Sequence, residues 1–117
     1  MDGSYMVPPV TTRGAGLLNL SFDPSDRQLS WTGTYSKLSG RATSVDIRGA
    51  AGPGEVSGVQ FPLMPVASPF RGSTKISSAQ EALLAAGLLY ISISTTAHPN
   101  GEIRGQIVRV RIPGQTE

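Results

Sequence analysis

The residues of this chain that could carry chemistry are few, and they centre on its one histidine, His98. A divalent metal site needs three or four donors held together. His98 with Asp46 and Glu102 could supply a mixed nitrogen and oxygen set if the fold gathers them. No second imidazole is present to favour copper, zinc or nickel. With no cysteine there is no thiolate site, Cys nucleophile or disulfide framework. Ser94, His98 and Asp46 have the residue types of a catalytic triad, but the Gly-x-Ser-x-Gly elbow is missing. Asp46 and Glu102 have the types of a glycosidase pair, although nothing in their spacing sets the separation that chemistry requires. The run Gly49 to Gly58 lacks the Lys-Ser/Thr of a phosphate loop and reads as a flexible loop between strands. The residues therefore assemble no catalytic centre and call for no cofactor, and the chain reads as something other than an enzyme.

The elements that must position these side chains are short strands. Leu18, Leu20 and Phe22 recur at period two, as do Leu29, Trp31, Gly33 and Tyr35, with Asp23-Pro24-Ser25-Asp26 as a turn between them. This predicts an antiparallel hairpin. Val45 and Ile47 alternate with Asp46 and Arg48 as a short strand over 43–48. Val59, Phe61 and Leu63 mark another, which Pro62 and Pro65 place at an edge. Gly72 to Ile76 is a weaker strand. Ser78 to Ala86 is the one helical segment, with Ser78 and Glu81 as a capping box, an Ala79/Ala82/Leu83/Ala86 stripe and Gly87 as C-cap. Leu89, Ile91 and Ile93 alternate with Tyr90, Ser92 and Ser94. After a turn at His98-Pro99-Asn100-Gly101, with Asn-Gly expected as a type I′ pair, a strand over 102–110 pairs back. Seven or eight strands with turns every 8 to 12 residues make an all-β antiparallel sandwich or small barrel. Trp31, Tyr35 and Phe22 fall on the inward faces as core, not as a stacking platform.

Asp46, Arg48, Glu102 and Arg104 each alternate with apolar neighbours, so all four should point away from the core. On one sheet they could form a solvent-side ion-pair network, or a polar rim for a partner.

Composition narrows the classes further. The 117 residues suit one domain able to bury a core unaided. The net charge of +2 is spread thinly, with Arg104, Arg109 and Arg111 the nearest to a cluster, which argues against a nucleic-acid face. No apolar run is long enough for a membrane span. The start, MDGSYMVPPV, shows neither the basic nor the apolar region of a signal peptide, and speaks for secretion in neither direction. Proline-broken edges and polar outer faces favour a monomer over a dimer through one sheet.

Val7-Pro8-Pro9-Val10, Leu38-Ser39-Gly40, Ser68-Pro69-Phe70-Arg71-Gly72 and above all YISISTTAHPNGEIRGQ, Tyr90 to Gln106, resemble the CHRD domain, named for its occurrence in chordin. The resemblance covers about residues 3 to 108. It implies a Greek-key sandwich of immunoglobulin-like or superoxide-dismutase-like type, an extracytoplasmic or secreted location, and a binding protein. One CHRD-like domain is expected at 1–111, and the residues of 112–117 read as a flexible tail. Family members often carry His-Ile-His-Gly in the middle strand and a His before the Thr-Ala-x-His-Pro turn. Here those positions are Asp46, Arg48 and Ser94, and only His98 remains. Asp46, Arg48, Ser94 and His98 are thus the candidate polar cluster, with Glu102 and Arg104 as charged neighbours. The expected function is a noncatalytic binding or structural module with a protein partner or self-association. The alternative is a degenerate or weak metal-binding domain centred on His98, Asp46 and Glu102.

Overall fold

The computed structural model describes residues 1–6, 9–23, 25–63 and 67–107. Val7, Pro8, Pro24, Pro65, Arg109, Arg111, the end of the strand placed at 102–110 and the tail at 112–117 lie outside the described residues.

The predicted hairpin forms from β1 (Ala15–Asp23) and β2 (Gln28–Ser36), in register from Ala15 opposite Ser36 to Asp23 opposite Gln28. The turn between them is held by its own side chains. The Asp23 carboxylate accepts the Ser25 N–H at 3.0 Å, and that of Asp26 accepts the Gln28 N–H at 2.9 Å, which is how Asx residues favour turns. The chain continues through β3 (Ala42–Arg48), β4 (Val59–Pro62), β5 (Phe70–Lys75), a helix α1 (Ser78–Ala86), β6 (Leu89–Thr95) and β7 (Ile103–Ile107).

These strands make two antiparallel sheets, ordered β1-β2-β5 and β4-β3-β6-β7. The pairings of β2 with β5 and of β3 with β6 skip neighbours in sequence, as in a Greek key. The arrangement is an immunoglobulin-type sandwich in which the fourth strand lies beside the third. Between the sheets sit Trp31, Val45, Ile47, Leu63, Phe70, Leu89, Ile91, Ile93 and Ile103. Each large apolar side chain buried there contributes about 1.5–3 kcal/mol relative to exposure. Gly33 lies opposite Phe70, and a Cβ on it would stand 2.3 Å from the Phe70 ring, so the inward slot at position 33 belongs to the aromatic. β4 is an edge strand, as its proline requires.

Two local expectations are corrected. The helix begins at Ser78, but its cap is Ser77, whose hydroxyl accepts the Gln80 N–H while the Gln80 side chain accepts the Ser77 N–H. Glu81 instead meets Arg27 at 3.2 Å on the surface. The helix packs with Leu83 and Leu84, and Ala79, Ala82 and Ala86 are exposed. Gly87 is the C-cap, at φ 73°. The second correction concerns the turn after β6. The Gly101 N–H reaches the His98 carbonyl at 3.0 Å, so Pro99 and Asn100 are the central residues. A type I′ turn needs positive φ at both centres. Proline cannot supply it, and Asn100 does not; the left-handed residue is Gly101, at φ 120°.

The main chain of Met1 and Asp2 spans the gap between the sheets. Asp2 exchanges hydrogen bonds with Arg104 on the outer edge of β7, and the Gly16 N–H of β1 bonds the Met1 carbonyl at 3.1 Å.

Candidate functional site

The alternation of β3, β6 and β7 directs Asp46, Arg48, Tyr90, Ser92, Ser94, Arg104 and Gln106 away from the sandwich core on one sheet. Cross-strand pairing sets Asp46 beside Ser92 and Ser92 beside Arg104, and sets Arg48 beside Tyr90 and Tyr90 beside Gln106. Three of the four residues at the family's histidine positions, Asp46, Arg48 and Ser94, thus share this face. His98 lies beyond the strand end, in the β6–β7 connection. Its main chain holds the turn: the N–H donates to the Thr95 hydroxyl, and the carbonyl accepts from Thr95 and Gly101. Among the described residues no hydrogen bond joins any two of Asp46, Arg48, Ser94 and His98.

The expectation that the charged residues form a solvent-side ion-pair network is overturned. Glu102 and Arg104 are 0% and 1% exposed, and Asp46 is 9% exposed. Among the described residues the one salt bridge is Arg27–Glu81. The reason is that other segments fold over this side of the sheet, so pointing away from the core is not the same as reaching water. The β3–β4 loop, residues 49–58, lies against it and is tied down, not slack. Arg104 donates to the Gly52 carbonyl at 3.0 Å and to the Glu55 carbonyl, and its guanidinium stacks 3.6 Å from the Tyr90 ring centroid. Gln106 donates to the carbonyls of Ala51 and Gly87 at 2.9 and 2.8 Å. The Tyr90 hydroxyl and the Arg48 guanidinium both donate to the Ser57 carbonyl, at 3.0 Å each. Burial pulls the Arg104 guanidinium below its ordinary value while Tyr90 and Glu55 pull it back. It stays charged, as arginine does in proteins, with carbonyl oxygens and an aromatic face against it.

Glu102 is turned to the end of the sandwich. One carboxylate oxygen accepts the Thr12 hydroxyl at 2.6 Å and the Ser39 N–H at 2.8 Å, and the other accepts the hydroxyls of Ser39 and Thr95, each at 2.8 Å. Burial pushes this carboxyl up. The four donors together outweigh burial and leave it below its ordinary value. Glu102 therefore clamps the segment before β1, the β2–β3 connection and the end of β6 into one piece.

This geometry also overturns the metal site read from His98, Asp46 and Glu102. Both oxygens of Glu102 are occupied by neutral donors, and among the described residues no three of His, Asp and Glu gather where they could hold an ion. Thr12, Ser39, Tyr90 and Gln106, together with the loop carbonyls, were missed from sequence. Tyr90 and Gln106 carried a signal, since each shares the parity of Ser92 and Arg104 on its strand. The partners of Glu102 come from loops, which have no period to read.

A cavity of about 300 Å³ beside Arg104 is bounded by Tyr5, Met6, Pro9, Pro53 and Gln106. Ser4, at its rim, donates its hydroxyl and its N–H to the Asp2 carboxylate.

Two antiparallel sheets, with Arg48, Glu102 and Arg104 bonded to the loops around them, define an all-β sandwich. The chain belongs to the CHRD domain family, whose model matches residues 1–107. That family is one of noncatalytic, extracellular-type domains. No curated protein and no solved structure matches the chain. Among the described residues no helix is long and apolar enough to cross a membrane.

Proposed function

We propose that the chain is a noncatalytic, extracytoplasmic protein-binding module that meets its partner on the β1 side of the three-stranded sheet. The observation that carries this is the state of that face. Residues 15–22 of β1 and all of β2 bear no charge, and Leu17 stands 71% exposed between polar neighbours. Leu17, Asn19, Thr32, Thr34, Pro69 and Arg71 outline a shallow hollow of about 450 Å³. An exposed apolar anchor among hydrogen-bonding residues, with the one charge of Arg71 in the lining, is the composition of a protein contact. On the opposite sheet Arg48 and Arg104 are meanwhile engaged internally.

The test is to pan short random peptides displayed on phage against the full chain and against a Leu17→Asp variant. Enrichment of extended sequences that the variant no longer retains is the expected result. Binders indifferent to Leu17→Asp but lost on substitution of Asp46 or His98 would overturn the reading. So would copper or zinc binding in calorimetry tighter than about 1 μM.

A further inference from the structure

We propose that the partner on the β1 side is a second copy of this chain, joined edge to edge through β1, an inference that rests on the binding face proposed above. Two sheets leave four edge strands, and an unprotected edge invites strand addition. Three of them are guarded. β4 is four residues long and carries Pro62; β5 carries Arg71 and Lys75; β7 is covered where Asp2 bonds Arg104. β1 is met by Met1 and Asp2 at Gly16 and Ala15, and beyond those two residues it has none of these devices. It runs nine residues without proline, lysine or a bulge, and its only charge is Asp23 at the end.

The exposed hydrogen-bonding groups of β1 are also symmetric. Both main-chain groups of Gly16 face outward and bond Met1. In an antiparallel strand the outward groups alternate, so those of Leu18, Leu20 and Phe22 face outward too, and they meet no partner among the described residues. The free stretch is therefore centred on Leu20. A two-fold axis there pairs Leu20 with its own copy and Leu18 with Phe22 of the other copy, and each such pair exchanges two N–H···O bonds. The side chains of these three residues point inward yet remain half-exposed, because no described residue covers their flank. Pairing would continue the apolar layer across the junction. On the outward face Asn19 comes opposite Ser21 of the other copy, so no like charges meet. The product is a six-stranded sheet, β5-β2-β1 continued through its copy, with the closed isologous symmetry usual in homodimers.

Sedimentation velocity of the full chain over a concentration series tests this. The expected result is a reversible monomer–dimer equilibrium. Asn19→Lys with Ser21→Lys places like charges opposite each other in this register and should weaken the dimer about tenfold. Asn19→Lys with Ser21→Glu places opposite charges face to face and should tighten it severalfold, less so at high salt. All these positions are exposed, so the fold is left alone. A chain that stays monomeric, or a dimer indifferent to both double variants, overturns the pairing. If peptides still bind the Leu17 face of a monomeric chain, the pairing alone falls; if they fail too, the binding face falls with it.

Discussion

The outward faces of the two sheets follow the same alternating rule and end in opposite conditions. On the four-stranded sheet, Tyr90, Ser92, Ser94 and Arg104 point away from the core and are 3%, 4%, 5% and 1% exposed. On the three-stranded sheet Leu17 points away from the core and is 71% exposed. The polar residues lie under cover and the apolar one in water. The difference comes from the connections. The loop at 49–58 and the Met1–Tyr5 segment fold over β6 and β7, while among the described residues β1 is met at its edge by Met1 and Asp2, at Gly16 and Ala15. Strand parity thus reports which side of a sheet a residue is on, and the loops decide whether that side is wet. A buried outward face must satisfy its polar groups internally, as Arg48, Arg104 and Gln106 do, and this supports the proposal that a partner meets the other sheet.

The strongest way to break this comparison is at Glu102. Glu102→Ala removes the acceptor for four buried or half-buried donors from three segments. Hydrogen bonds to charged groups contribute about 1.5–3 kcal/mol each, though not additively. A loss of about 4 kcal/mol in urea unfolding is expected, and a loss under about 1 kcal/mol would show that the end of the sandwich does not depend on it. The same residue gives an acid signature. Its folded carboxyl lies below the ordinary 4.5, so its contribution is complete above that value. It is lost as pH falls through the folded value. Glu102→Gln should flatten this part of the stability–pH curve. A residual slope from Asp2 and Asp23 should remain, since hydrogen bonds from Ser4 and Ser25 hold these two carboxyls low.

Arg104→Lys comes next, at about 3 kcal/mol. A lysine keeps the charge but cannot spread planar donors to the carbonyls of Gly52 and Glu55 while stacking on Tyr90. Hydrogen exchange should report the loss locally. The Ala51 N–H, bonded to the Leu88 carbonyl, and the Ser57 N–H, bonded to the Tyr90 hydroxyl, should exchange faster. Unchanged protection there would mean that the loop is held by its other bonds.

What was legible in the sequence follows the same division. The β1–β2 hairpin, the inward set from Leu29 to Ile103, the helix between β5 and β6 and the pairing of β6 with β7 are written in local periodicity, which the structure keeps. The placement of Glu102 was not legible, because Thr12 and Ser39 lie 90 and 63 residues away and come from segments with no period. The helix cap slipped by one residue because Ser77 and Ser78 are adjacent, each with a Gln or Glu three residues on. The proline argument for guarded edges applied to β4 but not to β1, whose residues 15–23 contain none.

Two substitutions sharpen the comparison by asking the same question of each face. Ser92 and the Met6 thioether converge on Gly101, where an added Cβ would stand 2.9 Å from the Ser92 hydroxyl and 2.6 Å from the Met6 methyl. There is no room beside Ser92, so Ser92→Leu should cost about 1–3 kcal/mol by overpacking, although leucine is the more apolar residue. Leu17→Thr makes the reverse exchange on the other sheet. The β-branched threonine suits a strand and the position is already solvated, so the monomer's stability should change by less than about 0.5 kcal/mol. Both are read by thermal unfolding of dilute protein, where pairing through β1 contributes least. If Leu17→Thr proves costly, something covers β1 in the monomer, and the bare face is lost as a contact surface. If Ser92→Leu is neutral, the cover over β6 yields easily, and the two faces differ less than their exposures indicate. Loss of stability at the serine with none at the leucine would show that the loops, and not the polarity of the residue, determine which side of this sandwich is its surface.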